Sequence, residues 1–404
     1  MTWKNSRLGD NFDIKHGYAF KSKYFDTSGK YIVLTPGNFY EQGGFKVREN
    51  EKYYSADPPE NFILKKGDLI IAMTEQAEGL LGSSAIVNKD NVYLHNQRLG
   101  LVIDLNENTL NRYFLYYLFN TEIVRHKIRA TATGLKVRHT APIRILNIEV
   151  SIPDIITQKR IAEILSKYDN LIDNNNRRIA LLEESIHLLY KDWFVRLRFP
   201  AHESVKVVDG IPDGWSQIPV TQVIDFNPKT LAPKGEIRPY VPMESLSTNS
   251  MIINGIDTRL VGGGAKFKNG DTLLARITPC LENGKTAFVQ FMENDDITAT
   301  GSTEFIVMRS TQLTPYWVYC LSRSYNFRQH AINSMAGSDG RQRVKPECFE
   351  RYYILFPPSP ILKYFDKIAK PIFKQIHFLT LQNHRLKQAR DLLLPRLMIG
   401  KITV

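Results

Sequence analysis

The chain of 404 residues has only three cysteines, Cys280, Cys320 and Cys348, and their spacing pairs none of them. A disulfide framework and a cysteine-based zinc site are therefore not expected. No stretch approaches the roughly 20 apolar residues of a membrane-spanning helix. The first residues, MTWKNSRLGD, contain no signal-peptide hydrophobic region. These absences predict a cytoplasmic protein.

Motifs that would mark an enzyme are incomplete. DPPE at residues 57–60 has the form of an adenine-methyltransferase tetrapeptide, but Glu60 stands where an aromatic ring must stack on the flipped base. GKT at residues 284–286 matches the end of a P-loop, but Pro279 takes the place of its first glycine. The nine histidines show no metal-ligand spacing. The sequence therefore predicts no catalytic residue, no metal site and no cofactor bound by this chain.

Length and charge indicate the broad class. A chain of 404 residues exceeds one ordinary hydrophobic core, so two domains are expected. The net charge is +12, and the tail, residues 361–404, has nine Lys or Arg against two Asp or Glu. Such a tail is typical of a solvated helix face, of a surface that binds nucleic acid, or of a surface that binds an acidic protein.

A long helix is predicted over residues 158–194, because apolar residues recur there in steps of four and three with no glycine or proline. A seam of this length, about 48 Å, needs a partner helix. A second seam lies near the C-terminus, with Gln375 and Gln382 inside it, Pro371 at a kink or first turn, and Pro395 at its end. The residues predicted to pair in this coil, or to form its partner interface, are Ile161, Leu165, Ile172, Asn175, Ile179, Leu182, Leu189, Leu379, Leu386 and Leu393.

The two halves of the chain repeat each other. An offset of 204 residues aligns the two seams, and KKGDLIIAM at residues 65–73 matches KNGDTLLAR at residues 268–276 with an offset of 203. The prediction is an α+β chain: two globular α/β domains joined by a long antiparallel two-helix coiled coil, a tandem repeat with pseudo-two-fold symmetry. The predicted boundaries are 1–156 and 199–360 for the globular domains, and 157–198 and 361–404 for the helices.

Asn175 falls at the predicted centre of the coil. A buried amide there would fix the register of the two helices at a cost in stability. The alternative is that residues 174–176, three consecutive asparagines, form a solvated defect.

Basic clusters occupy the same position in both repeats. Residues 125–144 contain six Lys or Arg and no acid, and residues 323–345 contain five and one acid, Asp339. Arginine suits guanine edges and phosphates, and glutamine suits adenine, although solvated loops are the alternative. The candidate nucleic-acid contacts are Lys15, Tyr18, Lys21, Gln97, Arg98, Lys136, Arg138, Arg276, Lys285, Arg341, Gln342 and Arg343.

Four stretches together carry a family resemblance over nearly the whole chain. They are KHGYAFKSKYF at 15–25, QKRIAEILSKYDNLIDNNNRRI at 158–179 with DWFVRLRFPAHE at 192–203, IPDGW at 211–215 and RDLLLPRLMIGKI at 390–402. The chain resembles the specificity subunit of type I restriction–modification systems. The second helix departs from the family pattern, because Lys363 stands where the first helix has Gln158.

The resemblance implies a subunit with two target-recognition domains, each reading one half of a split DNA site. It implies two methyltransferase subunits as partners, which carry S-adenosylmethionine, and often restriction subunits that use ATP and Mg²⁺. The helices would act as a ruler between the half-sites and as a docking surface. Two other readings stay open: a coiled-coil scaffold that binds proteins through its globular ends, and a self-contained restriction–methylation polypeptide.

Overall fold

The computed structural model describes residues 3–46, 51–76, 79–294, 296–338 and 340–404. The chain divides into two compact units. Unit 1 comprises Met1–Ile172 and Arg385–Val404, and unit 2 comprises Asp173–His384. Each of the two boundaries lies inside a long helix.

Both units contain α-helices. Their bounds are α1 Arg112–Phe119, α2 Glu122–Ala130, α3 Pro142–Leu146, α4 Ile155–Tyr190, α5 Pro315–Arg323, α6 Tyr325–Asn333 and α7 Ser359–Met398. A π-helical turn, Lys191–Val195, continues α4. Within the described residues, every helix is too short or too polar to cross a membrane.

Short strands make up the rest of the regular structure. Those of unit 1 are β1 Lys4–Arg7, β2 Asp13–His16, β3 Phe25–Asp26, β4 Tyr31–Val33, β5 Tyr53–Tyr54, β6 Leu69–Ala72, β7 Thr74–Glu75, β8 Ser84–Ile86, β9 Tyr93–Leu94, β10 Leu99–Ile103, β11 Arg138–His139 and β12 Glu149–Ile152. Those of unit 2 are β13 Val207–Val208, β14 Ile211–Pro212, β15 Ser216–Pro219, β16 Ile224–Phe226, β17 Ile237–Val241, β18 Asp257–Leu260, β19 Ala265–Phe267, β20 Thr272–Ala275, β21 Thr286–Phe288, β22 Ala299–Gly301, β23 Phe305–Ser310 and β24 Tyr353–Phe356.

The sheets confirm the predicted repeat. The central sheet of unit 1 has the order β2-β10-β6-β8, and that of unit 2 has the matching order β16-β23-β20-β21. All neighbours in both sheets are antiparallel. In each unit the first long strand pairs with the strand that leads into the long helix, β1 with β12 and β15 with β24.

The matched sequences at 65–73 and 268–276 form the same turn before the same central strand. Gly67 and Gly270 have φ of +93° and +88°, a region that favours glycine. Asp68 and Asp271 each accept a hydrogen bond of 2.8 Å from the backbone N–H three residues earlier. The motif is therefore a repeat of local backbone geometry, which the sequence reveals directly.

Gln158 ties the start of α4 to the globular part of unit 1. Its side chain is fully buried, Oε1 accepts from the Asn111 N–H at 2.9 Å, and Nε2 donates to the carbonyls of Thr109 and Pro153 at 2.9 Å. Asn111 in turn caps α1 by accepting from the Phe114 N–H. One amide thus joins the ends of two helices.

Within each unit, α4 and α7 pair antiparallel, as predicted. In unit 1 the beginning of α4 shares a hydrophobic core with the end of α7, and Asp169 forms a 2.6 Å ion pair with Arg390. In unit 2 the later part of α4 packs on the beginning of α7. There, the ring centroids of Phe194 and Phe365 lie 5.1 Å apart.

Most of the predicted seam residues are buried. Ile161, Leu165, Ile172, Asn175, Ile179 and Leu379 are at most 6% exposed. The other four, Leu182, Leu189, Leu386 and Leu393, are half-buried.

Asn175 is a buried amide whose Nδ2 makes two hydrogen bonds to α7. It is 3% exposed, and its Nδ2 donates to Asn383 Oδ1 at 2.9 Å and to Gln382 Oε1 at 3.0 Å. Asn383 Nδ2 donates to Asn176 Oδ1 at 2.8 Å. Asn174 and Asn176 are exposed, so one of the three asparagines belongs to the interior and two face solvent.

Three expectations for α7 were wrong. The buried seam contains Ile376 and Asn383, whereas the predicted Gln375 and Gln382 are exposed. A helix has 3.6 residues per turn, so a strict heptad count drifts by about 20° per heptad and slipped by one residue in α7. Pro371 does not mark the first turn, since α7 begins at Ser359, and Pro395 does not end the helix, which reaches Met398.

A Gln158→Leu change should destabilise the chain by roughly 1–3 kcal/mol, because it leaves the Asn111 N–H and two carbonyls without their partner. Urea unfolding measures this loss. Gln375→Leu, on an exposed face of α7, is the matched control and should change the free energy of unfolding by less than about 0.5 kcal/mol. Equal effects of the two substitutions would show that the buried amide does not hold the helix in place.

Candidate nucleic-acid interface

A small hairpin projects from the sheet edge of unit 1. Residues 133–139, called hairpin 1, close through two backbone bonds between Thr133 and His139, of 2.9 and 2.8 Å. Strand β11 at its base pairs with β7, and Thr74 Oγ1 lies 3.2 Å from His139 Nδ1. Lys136 is exposed at the tip. The predicted cluster therefore forms a defined loop.

A buried carboxylate anchors hairpin 1. The Glu75 side chain is 1% exposed, and its Oε2 accepts three backbone N–H bonds from residues 79–81, of 3.1, 3.0 and 2.8 Å. Arg138 Nη1 lies 3.9 Å from the other oxygen, and the Arg138 side chain remains 42% exposed. No hydrogen bond joins the two groups at this distance, and the Arg138 side chain stays accessible to a ligand.

Unit 2 has an equivalent hairpin in the same place. Residues 336–343, called hairpin 2, close through backbone bonds of 3.1 and 2.9 Å between Ala336 and Arg343, and Arg343 bridges to Ile277. The closing pairs of the two hairpins are 203 and 204 residues apart, which is the offset of the repeat. Asp339, the acid noted in this cluster, lies outside the described residues.

The Arg343 guanidinium is engaged by a carboxylate, so it is not free to contact a DNA base. Its Nε lies 3.0 Å from both carboxylate oxygens of Glu304, its Nη2 lies 2.8 Å from one of them, and its Nη1 donates to the Arg341 carbonyl at 3.3 Å. These bonds hold the pKa of the Glu304 carboxyl below its ordinary value. Arg343 therefore orients hairpin 2, whereas Arg341 is exposed and Gln342 half-exposed beside it.

Two loops predicted as contacts in unit 1 meet each other. The Tyr18 N–H donates to the His95 carbonyl at 2.9 Å, and the Gln97 N–H donates to the Tyr18 carbonyl at 3.0 Å. A Cβ on Gly17 would lie 2.0 Å from a backbone oxygen, so only glycine permits this approach. The meeting loops present Lys21, Gln97 and Arg98, all exposed.

Tyr18 and Lys15 belong instead to a local aromatic cluster. The Tyr18 ring lies 5.2 Å from Phe62 and 5.1 Å from Phe20 between centroids. Lys15 Nζ donates to the Asn61 carbonyl at 2.7 Å and sits 4.6 Å above the Phe62 ring. The interleaved bases and aromatics of this segment therefore stabilise a half-buried turn.

Several of the Lys and Arg residues within 125–144 are not available to a ligand. Arg125 is 2% exposed and donates to the carbonyls of Leu81, Glu41 and Gly79. Burial lowers its pKa to about 10. Lys127 and Arg144 donate to backbone carbonyls as well, so hairpin 1 itself offers Lys136 and Arg138.

Unit 2 adds a basic cleft that the sequence revealed only in part. Arg276 lines a cleft of about 450 Å³ together with Lys229 and Lys266, two lysines that no sequence motif marks. Arg276 Nε lies 3.9 Å from Glu304, so the cleft and hairpin 2 share one carboxylate. Lys285 is turned inward and donates to the Met243 carbonyl at 3.1 Å.

Arg341 and Arg343 should differ in their effect on binding to duplex DNA. Arg341→Ala should make the slope of log K against log salt shallower by about 1, because an exposed arginine neutralises about one phosphate. Arg343→Ala should mainly speed amide hydrogen exchange in hairpin 2, because it removes the bonds to Glu304. Salt titrations and hydrogen exchange measure the two effects, and the reverse pattern would contradict the distinct roles of the two arginines.

Comparison with known proteins shows which proteins the chain is similar to. Residues 1–184 match the family described as the type I restriction modification DNA specificity domain. The chain is 26% identical over 309 residues to the type I restriction enzyme MjaIX specificity subunit of Methanocaldococcus jannaschii, covering 72% of this chain and 69% of that one. It is 31% identical over 156 residues to the EcoEI specificity subunit of Escherichia coli, covering 37% of this chain and 26% of that one.

A solved structure supports the fold along the whole length. The crystal structure of the type I restriction–modification S subunit from M. genitalium superimposes with a TM-score of 0.61, covering 98% of this chain and 96% of that chain. The sequences are 14% identical, so this likeness concerns the fold alone. The matched domain and the relatives show that residues 1–184 contain a type I restriction modification DNA specificity domain, and that the chain is similar to the specificity subunits of type I restriction enzymes.

Proposed function

We propose that this chain is the non-catalytic DNA-recognition subunit of a type I restriction–modification complex, in which each unit reads one half of a bipartite site. The observation that carries the proposal is the recurrence of one hairpin in both units. Each hairpin closes with the same backbone pairing and places an arginine beside a carboxylate: Arg343 is hydrogen-bonded to Glu304, and Arg138 lies 3.9 Å from Glu75. Two such loops on one chain suit two separate stretches of DNA.

The exposed residues divide into two roles. Lys21, Lys136 and Arg138 suit phosphate contacts, which add salt-dependent affinity and carry no sequence information. Gln97, Arg98 and Gln342 have the planar amide or guanidinium groups that pair with base edges, whereas exposed Arg341 suits a phosphate contact in unit 2. In unit 2, the half-buried Arg276 of the cleft adds a further cation to Arg341 and Gln342 of hairpin 2. Each unit therefore has both kinds of contact.

Partner subunits would dock on the outer faces of α4 and α7. The predicted interface residues lie mainly in the seam between the helices, so the docking surface must come from other residues. In unit 2, Leu181 and Leu188 are 65% and 55% exposed and lie seven residues apart, on one line of α4. Phe378 and Leu381 are 56% and 43% exposed on α7. Exposed apolar residues at these spacings suit the packing of a further helix.

We propose two methyltransferase subunits as these partners, with restriction subunits joining them in the cytoplasm. S-adenosylmethionine, ATP and Mg²⁺ would then be bound by the partners and not by this chain. The scaffold alternative predicts binding to proteins without DNA selectivity. The self-contained enzyme alternative predicts methyl transfer by this chain alone.

Mapping methylated adenines tests the proposal. Cells carrying this chain and its methyltransferase subunit should methylate one bipartite sequence, and the purified chain with S-adenosylmethionine alone should methylate none. Exchange of residues 215–345 for the same region of a relative should change one half of that sequence and keep the other, because this segment contains the recognition loops of unit 2. A change in both halves would show that the units do not read independently.

The helices should determine the spacer between the half-sites. Seven residues inserted at each unit boundary, after Ile172 and after His384, lengthen each helix by about 10.5 Å. One heptad preserves the seam, so Asp169 still meets Arg390 and Asn175 still meets Asn383. At 3.4 Å per base-pair step, we expect the unread spacer to lengthen by about three base pairs with unchanged half-sites.

The control for the spacer prediction is the same insertion in α4 alone, which shifts one helix against the other and should abolish activity. Insertion before Gln158 is unsuitable, because that residue is bonded to Thr109, Asn111 and Pro153. Methylation mapping reads the spacer directly. A doubly lengthened chain that is active on the original spacer would rule out the helices as the ruler.

A further inference from the structure

The side chain of Leu135, at the tip of hairpin 1, is fully exposed to solvent in the folded chain. It is 102% exposed, the highest value among the large apolar residues of the described part. A single exposed leucine is ordinary on a protein surface. Leu135 differs from an ordinary exposed leucine because the backbone of hairpin 1 is held in place and keeps its side chain in solvent.

The base of hairpin 1 is braced on several sides. Thr133 and His139 close it with two backbone bonds, β11 pairs with β7, and Arg144 Nη1 donates to the Thr131 carbonyl at 2.7 Å. Gly134 has φ of +100°, and a Cβ there would lie 2.1 Å from the Val137 carbonyl oxygen. The turn is therefore closed tightly directly before Leu135, so the leucine is carried on a supported loop.

The surroundings of Leu135 are cationic. Lys136 follows it and Arg138 lies at the base of the hairpin, while residues 125–144 contain no Asp or Glu. An apolar side chain followed by a lysine fits duplex DNA, in which phosphates flank an apolar stack of bases. Proteins that bend DNA insert leucine and similar residues between base pairs, with Lys or Arg alongside.

Hairpin 2 lacks such a residue among its described positions. Its outward positions Gly337, Ser338, Gly340 and Arg341 are small or charged. The two units thus have the same loop with different tips. An apolar tip is therefore a property of hairpin 1 and not of the described part of hairpin 2.

We propose that Leu135 is a wedge that enters a base-pair step of the half-site read by unit 1 and partly unstacks it. Lys136 holds the adjacent phosphate while the leucine occupies the gap. Steps that unstack readily, such as TA and CA, lower the cost of insertion. Leu135 therefore contributes to specificity through DNA deformability, at a position with no hydrogen bond to a base. The inference rests on the proposed DNA-recognition function.

The test uses the complex of this chain with its methyltransferase subunits and the target duplex found by methylation mapping. Fluorescent 2-aminopurine or pyrrolo-cytosine replaces one base at a time in both half-sites. The methylated adenines are left unlabelled, because flipping by the methyltransferase would itself raise fluorescence. We expect one step in the half-site of unit 1 to brighten on binding, and Leu135→Ala to abolish that rise.

Affinity provides a second, independent readout. Leu135→Ala should weaken binding to the intact duplex roughly tenfold, about 1.4 kcal/mol, with an unchanged salt slope. A mismatch at the brightening step should tighten binding of the wild type, because it lowers the cost of unstacking, and should give Leu135→Ala no gain. Leu135→Met should restore the fluorescence. Lys136→Ala should keep the fluorescence and make the salt slope shallower by about 1.

Each failure has a distinct meaning. Absence of site-specific methylation by the wild type would overturn the proposed function itself. Site-specific methylation with no brightening in the half-site of unit 1, or with brightening that survives Leu135→Ala, would overturn the wedge alone. Loss of the methyltransferase subunits from the Leu135→Ala complex would show that the leucine contacts a protein, which also overturns the wedge.

Discussion

Each long helix carries an apolar seam that must be buried along most of its length, and the architecture depends on how this is achieved. In each unit the seam of α4 packs against α7, and the same side chains join the core of the globular part. The helices are therefore part of each fold and not tethers added to it. Gln158 shows the coupling most clearly, since one buried amide satisfies the first turns of α4 and α1 together.

Carboxylates with low exposure organise both recognition hairpins. Glu75 is held by three backbone N–H groups and faces Arg138, while Glu304 is held by Arg343 and lies near Arg276. A planar guanidinium fixed by one carboxylate presents its neighbours in a defined direction. Preorganisation of this kind lowers the entropy lost when DNA is bound. The exposed residues beside these pairs can differ without altering the loop, which suits domains that read different bases.

The two hairpins share the backbone pairing at their bases and differ in the residues at their tips. Hairpin 1 carries Leu135 and Lys136 at its tip, and the exposed residues of hairpin 2 include Ser338 and Arg341. An apolar tip favours reading DNA by its deformability, and an arginine tip favours phosphates or guanine edges. One backbone design therefore supports two modes of contact.

The sequence by itself determined the repeat, the two long helices and most of the seam, because these follow from periodicity and from local turns such as Gly67 and Gly270. The resemblance to specificity subunits came from four particular stretches of the sequence. It also located both basic clusters. Only the tertiary structure decided which of those charges face solvent. Arg125 and Lys136 stand in the same basic run, yet Arg125 is bonded to three carbonyls and Lys136 is exposed. The partners of Arg125 and Arg343 are separated from them by tens of residues, and no local pattern encodes contacts at such distances.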